Sequence, residues 1–290
     1  MESPVTSDPL PAPLVSAPQL LAAMARGLAP VIVDCSFDLA DTGAGRRAFA
    51  QGHIPGADYA HLDEDLSGPK TGRNGRHPLP ALEAWAATLG RLGIGPATPA
   101  VVYDAQGGMY AARAWWMMRW VGHELVSVLD GGLAAWREAG GALETGEPPP
   151  LRPRIVPYPM EKSLVSTIAA DDLQRSLGRV TLLDARAGDR FRGEVEPLDP
   201  RAGHIPGARS RFFRDNLEPN GRFRSPQALR ADFEAFGAPP AQVVHQCGSG
   251  VTACHNLLAM DIAGLTGSVL YPGSWSEWSA DPDRPVATGG

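Results

Sequence analysis

The chain has 290 residues, 43% of them apolar and 20% charged, which fits a compact protein of two ordinary domains needing no staple to fold. Its formal net charge of -6 excludes a broad basic field, so a nucleic-acid or anionic-membrane partner lacks electrostatic support and a small molecule is expected instead. Three cysteines, Cys35, Cys247 and Cys254, are an odd number without short metal-ligand spacing; this argues against a disulfide framework and a metal site and for a reducing, cytoplasmic compartment.

In chain order, the opening "MESPVTSDPLPAPLVSAPQ" is acidic and proline-rich, without the cationic start of a secretory signal or the arginines of a mitochondrial presequence. No apolar run approaches the ~20 residues that cross a bilayer. "VIVDCS" (31–36) then reads as a strand, followed by the turn "GHIPGADY" (52–59), the helical "LEAWAATLGRLG" (82–93), the strand "PAVVYD" (99–104) and "VSVLDGGLAAW" (126–136). After "GGALETGEPPPLRPRIVPYP" (140–159), a stiff extended linker by its prolines, the pattern returns. "TLLDAR" (181–186) precedes "GHIPGARS" (203–210), "QALRADFEAFG" (227–237), "AQVVHQ" (241–246) and "GSVLYPGSWSEW" (267–278). Each half reads as strand, Gly-His-Ile-Pro-Gly turn, helix, strand, loop, helix, strand and Trp-bearing helix. Alternating strands and helices predict an α/β fold built twice, each half a parallel sheet with helices on both faces. The boundary lies near Pro150 to Pro159, giving a first repeat over residues 1–145, a linker over 146–165 and a second repeat over 166–290.

Cys247 falls where a Val-rich strand ends and a helix begins near Thr252. In open parallel sheets ligands bind at the carboxyl ends of strands. Gly248, Ser249, Gly250, Val251 and Thr252 let successive amides point at the loop centre, and the helix adds its positive pole, so a thiolate is favoured there. Cys35, matched by Ala185 in the other repeat, and Cys254, on an apolar helix face, lack such glycines and read as structural. A Cys-x5-Arg phosphatase loop is excluded because "CGSGVTA" ends in Ala253, and a Cys-x-x-Cys redox pair because position 250 is glycine. His53 and His204 recur in both GHIPG turns although only one half has the loop cysteine, so they brace the turns.

The paired "GHIPGA" turns, the single loop "CGSGVTAC" and the closing "YPGSWSEW" resemble the tandem rhodanese-fold sulfurtransferases, and the loop is similar to that of the 3-mercaptopyruvate sulfurtransferases. The resemblance spans nearly the whole chain. It implies an enzyme without a cofactor in which Cys247 takes sulfur from 3-mercaptopyruvate as a persulfide, releases pyruvate, and passes the sulfur to a thiol acceptor such as thioredoxin, or to cyanide. Thiosulfate as donor, or a persulfide carrier serving a protein partner, are the alternatives. Thiosulfate-using relatives carry cations after the cysteine, where this chain has Gly248 and Ser249; the loop therefore lacks charge for a dianion. A partner-serving carrier is expected to bear an extended tail, whereas this chain ends at "RPVATGG".

The resemblance also implies a proton relay of Ser249, His77 and Asp63, with Asp65 competing for the last place. It makes the first repeat, which has Asp104 and Ala105 where the second has its cysteine loop, a non-catalytic scaffold. A keto-acid donor brings a carboxylate that wants arginine. The family's first substrate arginine matches Arg190; its second matches Leu198, so Arg201 is expected to compensate.

Overall fold

The computed structural model describes residues 10–147 and 156–290. The acidic start of the chain and the prolines at the centre of the linker lie outside the described residues.

Each half forms a five-stranded parallel sheet. The first takes β1 (Leu14–Val15), β2 (Val31–Asp34), β3 (Asp58–Tyr59), β4 (Ala100–Tyr103) and β5 (Val126–Leu129) in the order β1-β5-β4-β2-β3. The second takes β6 (Ser166–Thr167), β7 (Thr181–Asp184), β8 (Arg209–Ser210), β9 (Val243–Gln246) and β10 (Val269–Leu270) in the matching order β6-β10-β9-β7-β8. The central strands VIVD, AVVY and VVHQ are buried along their whole length. Continuous Val-rich runs of this kind belong to parallel strands covered on both faces.

The α/β duplication thus stands as read from the sequence, with two local differences. The short strands β1, β3, β6 and β8 have two residues each, too few to show any periodicity. Helices α2 (Ala44–Gln51) and α7 (Gly188–Arg192) precede the GHIPG turns. Each turn histidine stacks on a phenylalanine of that helix, His53 on Phe49 at 3.7 Å and His204 on Phe191 at 3.9 Å between ring centroids. Each also sets Nδ1 2.8 Å from the same residue's carbonyl, which fixes where the turn leaves the helix.

The linker beyond Val156 is docked along the first sheet's helices rather than free. Tyr158 N donates to Ala86 O (2.9 Å), Glu161 N to Val121 O (3.1 Å) and Leu164 N to Arg119 O (3.0 Å).

The halves join through one continuous core that contains residues of both. Its centre is the pair α4 (Ala111–Trp120) and α9 (Thr252–Ile262), the helices that follow β4 and β9. Residues 111–118 of α4 and 253–260 of α9 are all buried, and helices apolar nearly all round must be buried all round. Because each starts at the carboxyl end of a central strand, their packing turns both strand-end loops toward one another. His255 on α9 reaches across, its Nε2 3.0 Å from Gly107 O and its Nδ1 3.1 Å from Asn216 Nδ2, with Phe223 stacked on its ring at 4.6 Å.

Burial pushes His255 down to about 4 and His245 down to about 3, so both rings are neutral in the fold. Their contribution is complete above the unfolded-state value of ~6.5 and is lost as pH falls toward those folded values, by about 1.4 kcal/mol per pH unit per ring. Urea unfolding should therefore show stability declining from pH 6.5 to 4.5, less steeply in His255→Gln. A flat profile across that range would show that the rings accept protons in the folded state.

Candidate active site

The loop between β9 and α9 closes around a sulfur. Cys247 is buried, at 1% exposure, and Gly250 N donates to its Sγ at 3.1 Å. That amide is aimed by Gly250 at φ +76°, where a Cβ would stand 2.2 Å from Pro272 O; only glycine fits. From outside, α10 (Ser274–Trp278) clamps the loop. Cys247 N donates to Ser274 Oγ (3.1 Å), Trp275 N to Cys247 O (3.0 Å) and Ser276 N to Gly248 O (2.9 Å). Val251 and Thr252, with Gly248 and Ser249, line the adjoining cavity.

The other two cysteines serve packing. Cys35 is buried with its thiol pushed well above the ordinary range, by burial first and then by Asp34. Cys254 donates to Gly250 O at 3.3 Å, and burial pushes it up to about 12, keeping it a thiol that props the loop.

The first repeat shows the same cradle already filled. The Asp104 carboxylate accepts from Gln106 N (2.8 Å), Gly108 N (2.8 Å), Tyr110 N (2.7 Å) and Ala111 N (2.9 Å). Convergent amides of this kind bind an anion. Cys247 itself stands at the matching place in the second repeat: Tyr103 pairs with Asp34 as Gln246 pairs with Asp184, and Asp104 and Cys247 are the residues that follow.

Three of the expected relay groups meet across the halves. Ser249 Oγ lies 2.7 Å from His77 Nδ1, and His77 Nε2 lies 3.6 Å from Asp63 Oδ1. His77, in a proline-flanked loop, is buried at 3% exposure. Burial dominates its titration and takes it down to about 3 against the opposing pull of Asp63, so the ring is neutral at pH 7. Nε2 faces a carboxylate and carries the hydrogen, leaving Nδ1 to accept from the serine hydroxyl. Asp63 also pairs with Lys70 at 2.9 Å. The structure decides between the two candidate carboxylates, because Asp65 accepts from His61 N (2.8 Å) and pairs with Arg91.

Arg113, which the sequence reading missed, ties these parts together. It is fully buried on α4, donating Nη1 to Gly250 O (3.1 Å) and Nη2 to His77 O (3.2 Å) and Leu66 O (3.3 Å). A lone charge inside "YAARAWWMM" was the available signal, since buried charges need a fixed set of partners.

The cavity beside Cys247 has a volume of about 190 Å³ and is lined by Arg76, Arg186 and Arg190 as well as by Leu198. Arg201 is not among its lining residues, which corrects the expectation for it. Its guanidinium donates to four carbonyls, of Ser279 (3.0 Å), Arg284 (3.0 Å), Trp278 (3.1 Å) and Asp281, and so fastens the C-terminal segment. Arg190 is in place, joined to Glu196 (2.6 Å) and Asp199 (3.2 Å). Arg76, from the first half, meets the other oxygen of Asp199. Arg186 is held by Asp184 (2.6 Å) and Glu196 (3.4 Å) and lies over the Trp275 ring at 4.8 Å. A Cβ on Gly248 would sit 2.9 Å from Arg76 Nη2 and 3.5 Å from Arg190 Nη1. The neutral loop thus has cations above it, the expected Arg190 and, from the first half, Arg76, which was not expected.

Among the described residues no cluster of three or more His, Cys, Asp or Glu could hold a metal ion, and no helix is long and apolar enough to cross a membrane. A family profile described as Rhodanese-like domain matches residues 16–139 and 169–281. Over 265 residues the chain is 50% identical to a probable 3-mercaptopyruvate sulfurtransferase of Pseudomonas aeruginosa, covering 89% of this chain and 92% of that one. It is 40% identical over 277 residues to a putative thiosulfate sulfurtransferase of Mycobacterium tuberculosis, covering 95% and 97%. Its structure is similar to that of a 3-mercaptopyruvate sulfurtransferase from Leishmania major, with a TM-score of 0.82 and 30% identity over 93% of this chain and 75% of that one.

Two substitutions probe the loop's construction. Gly250→Ala forces a Cβ onto Pro272 O at a left-handed φ, and should displace the amide from Cys247 Sγ and lower the unfolding midpoint. Arg113→Leu takes the guanidinium from the buried carbonyls of His77 and Leu66, at roughly 1–3 kcal/mol each, and leaves Gly250 O with the Cys254 thiol. Urea midpoints and the alkylation rate of Cys247 should both change in each variant; wild-type values for either would show that the loop needs neither support.

Proposed function

The chain belongs to the rhodanese-like family, and from that premise we propose that it is a sulfurtransferase that takes the sulfur of 3-mercaptopyruvate onto Cys247 and hands it to a thiol acceptor. The observation that carries this reading is the Ser249–His77–Asp63 array assembled beside the buried sulfur. Thiosulfate would leave as sulfite, a stable anion, whereas mercaptopyruvate leaves as an enolate that must gain a proton. A positioned acid-base array serves the second donor.

In the first half-reaction the Cys247 thiolate attacks the donor's thiol sulfur. The S–S bond forms as the C–S bond breaks, and its electron pair passes to the enolate of pyruvate. Ser249 gives its hydroxyl hydrogen to the enolate's methylene carbon and takes up the donor's S–H hydrogen in its place, so pyruvate leaves and the outer sulfur stays on Cys247 as the persulfide anion. Gly250 N–H supports negative charge on Cys247 Sγ, at 3.1 Å in the resting loop. Arg190 meets the donor's carboxylate. In the second half-reaction an acceptor thiolate attacks the outer sulfur and Cys247 leaves as thiolate. A small thiol or a reduced protein such as thioredoxin fits as acceptor, and cyanide accepts by the same attack. Three free cysteines suit a reducing cytoplasm.

Thiosulfate is the second reading, favoured by the guanidinia of Arg76 and Arg190 above Gly248. Which donor wins depends on the counter-ions of those arginines.

Mass spectrometry after mixing with 3-mercaptopyruvate should find one added sulfur on the Cys247 peptide. Cys247→Ser should abolish transfer while Cys35→Ser and Cys254→Ser retain most of it; equal loss in all three would sink the assignment. Ser249→Ala and His77→Ala should each lower kcat by about 10²–10⁴-fold, and the double variant should be scarcely worse than either, because members of one relay are not additive. Arg190→Ala should mainly raise KM, losing about 2–3 kcal/mol of charge-assisted hydrogen bonding. Unchanged kcat in both relay variants would leave catalysis to the loop amides and the helix pole.

A further inference from the structure

The ion pairs around the cavity form one alternating chain, Arg76–Asp199–Arg190–Glu196–Arg186–Asp184. Its ends differ in kind. Arg186 and Asp184 are buried, and Arg186 also donates to Gly203 O at 2.7 Å, so that end is spent on the fold. At the other end Arg76 and Arg190 border the cavity, and the Nε–H of each is buried without a hydrogen-bond partner among the described residues. Arg113 and Arg119 also have a buried Nε without a partner among the described residues, but only Arg76 and Arg190 of these four line the cavity and flank the space over Gly248. A donor whose sulfur reaches Cys247 must place its anionic end in that space.

Arg76 is held there by backbone, not by chance of rotamer. Arg76 N donates to Ser276 Oγ at 2.9 Å, and a Cβ on the preceding Gly75, at φ +85°, would lie 2.8 Å from Gly273 O. The same α10 that clamps the cysteine loop therefore also fixes the segment bearing Arg76. Leu198 lines the cavity, and the second half's other lining arginine, Arg186, is engaged by Asp184 and Glu196.

Between the two guanidinia sits Asp199, whose side chain is 3% exposed and which meets Arg76 with one oxygen and Arg190 with the other. Three arginines against three carboxylates leave the chain neutral at rest. An arriving monoanion finds two sets of N–H donors and adds one charge. The neutral network has no unpaired cation for either donor, so a monoanion leaves it one charge negative and a dianion two, and in a largely desolvated site the second charge is the costlier.

Resting on the sulfur-transfer reading above, we infer that Asp199 is a specificity-determining residue: by neutralising one charge of the Arg76–Arg190 pair, it fits the site to a monoanionic carboxylate donor and against a dianionic one, with Arg76 supplying the second guanidinium from the first half. The carboxylate of the donor then takes hydrogen bonds from both arginines while Asp199 keeps them parallel and apart.

Single-turnover persulfide formation with 3-mercaptopyruvate and with thiosulfate tests this, read as the ratio of second-order rate constants for the two donors. Asp199→Asn leaves the network one charge more positive and should shift the ratio toward thiosulfate by about tenfold. Arg76→Gln leaves it one charge more negative and should shift the ratio the opposite way by a similar factor, while raising the half-saturating concentration of 3-mercaptopyruvate. Wild-type protein that forms no persulfide from either donor would overturn the underlying reading. Wild-type protein that does so, with variants that leave the ratio unmoved or move it in the same direction, would overturn only the role of Asp199. Thermal melts accompany both variants, and if Asp199→Asn does not fold, Arg76→Gln decides: an unchanged half-saturating concentration and ratio refute the inference.

Discussion

The guanidinium of Arg113 is the constraint on which the site depends. It is sealed between the two halves, and its donors go to backbone carbonyls on both sides, Gly250 of the cysteine loop and His77 of the relay segment. A charge that far from water is tolerated only through the carbonyls that Nη1 and Nη2 reach, because its desolvation cost is left uncompensated if one of them moves. The loop and the histidine are therefore held at a fixed separation by a group that touches neither sulfur nor donor. Burial of the guanidinium is in turn a consequence of α4 packing on α9, so the core that joins the halves is also what sets the distance from Ser249 to His77.

Duplication explains why such an arrangement could arise from one supersecondary plan. Both halves end a central strand in a loop of inward amides and start a helix from it. In the first half an aspartate side chain occupies the amides, and that loop is finished as structure. In the second half the matching residue is Cys247 itself, and its sulfur takes the Gly250 amide. One cradle position at the strand end thus holds a carboxylate in the first repeat and a thiol in the second. The GHIPG histidines, stacked alike on Phe49 and Phe191, have no such asymmetry and do the same bracing in both.

Charge at the site is likewise a product of both halves. The loop sequence is neutral, yet Arg76 and Arg190 converge over Gly248, each balanced against Asp199. Small, uncharged loop residues are what let two guanidinia approach, since a Cβ at Gly248 would already press on Arg76. Local composition and local electrostatics therefore disagree here, and the geometry resolves the disagreement in favour of a cationic mouth on a neutral network.

Legible along the chain were the duplicated α/β fold, the one cysteine of three that lies in a loop of amides, and the bracing and packing places of His53, His204, Cys35 and Cys254. Those properties are written in short-range patterns: buried Val-rich runs, turn glycines and a strand-loop-helix join each act within a few residues. Ser249, His77, Asp63 and Arg190 were legible through their motifs, although nothing local showed that they meet. Only the tertiary structure decided for Asp63 over Asp65, removed Arg201 to the C-terminal carbonyls, and brought in Arg76 and Arg113. The physical reason is sequence separation: the Ser249–His77 contact closes over 172 residues and the Arg76–Asp199 pair over 123. Which charged group ends beside which is fixed by the packing of α4 on α9, and side chains on a loop acquire their partners only after that packing is made.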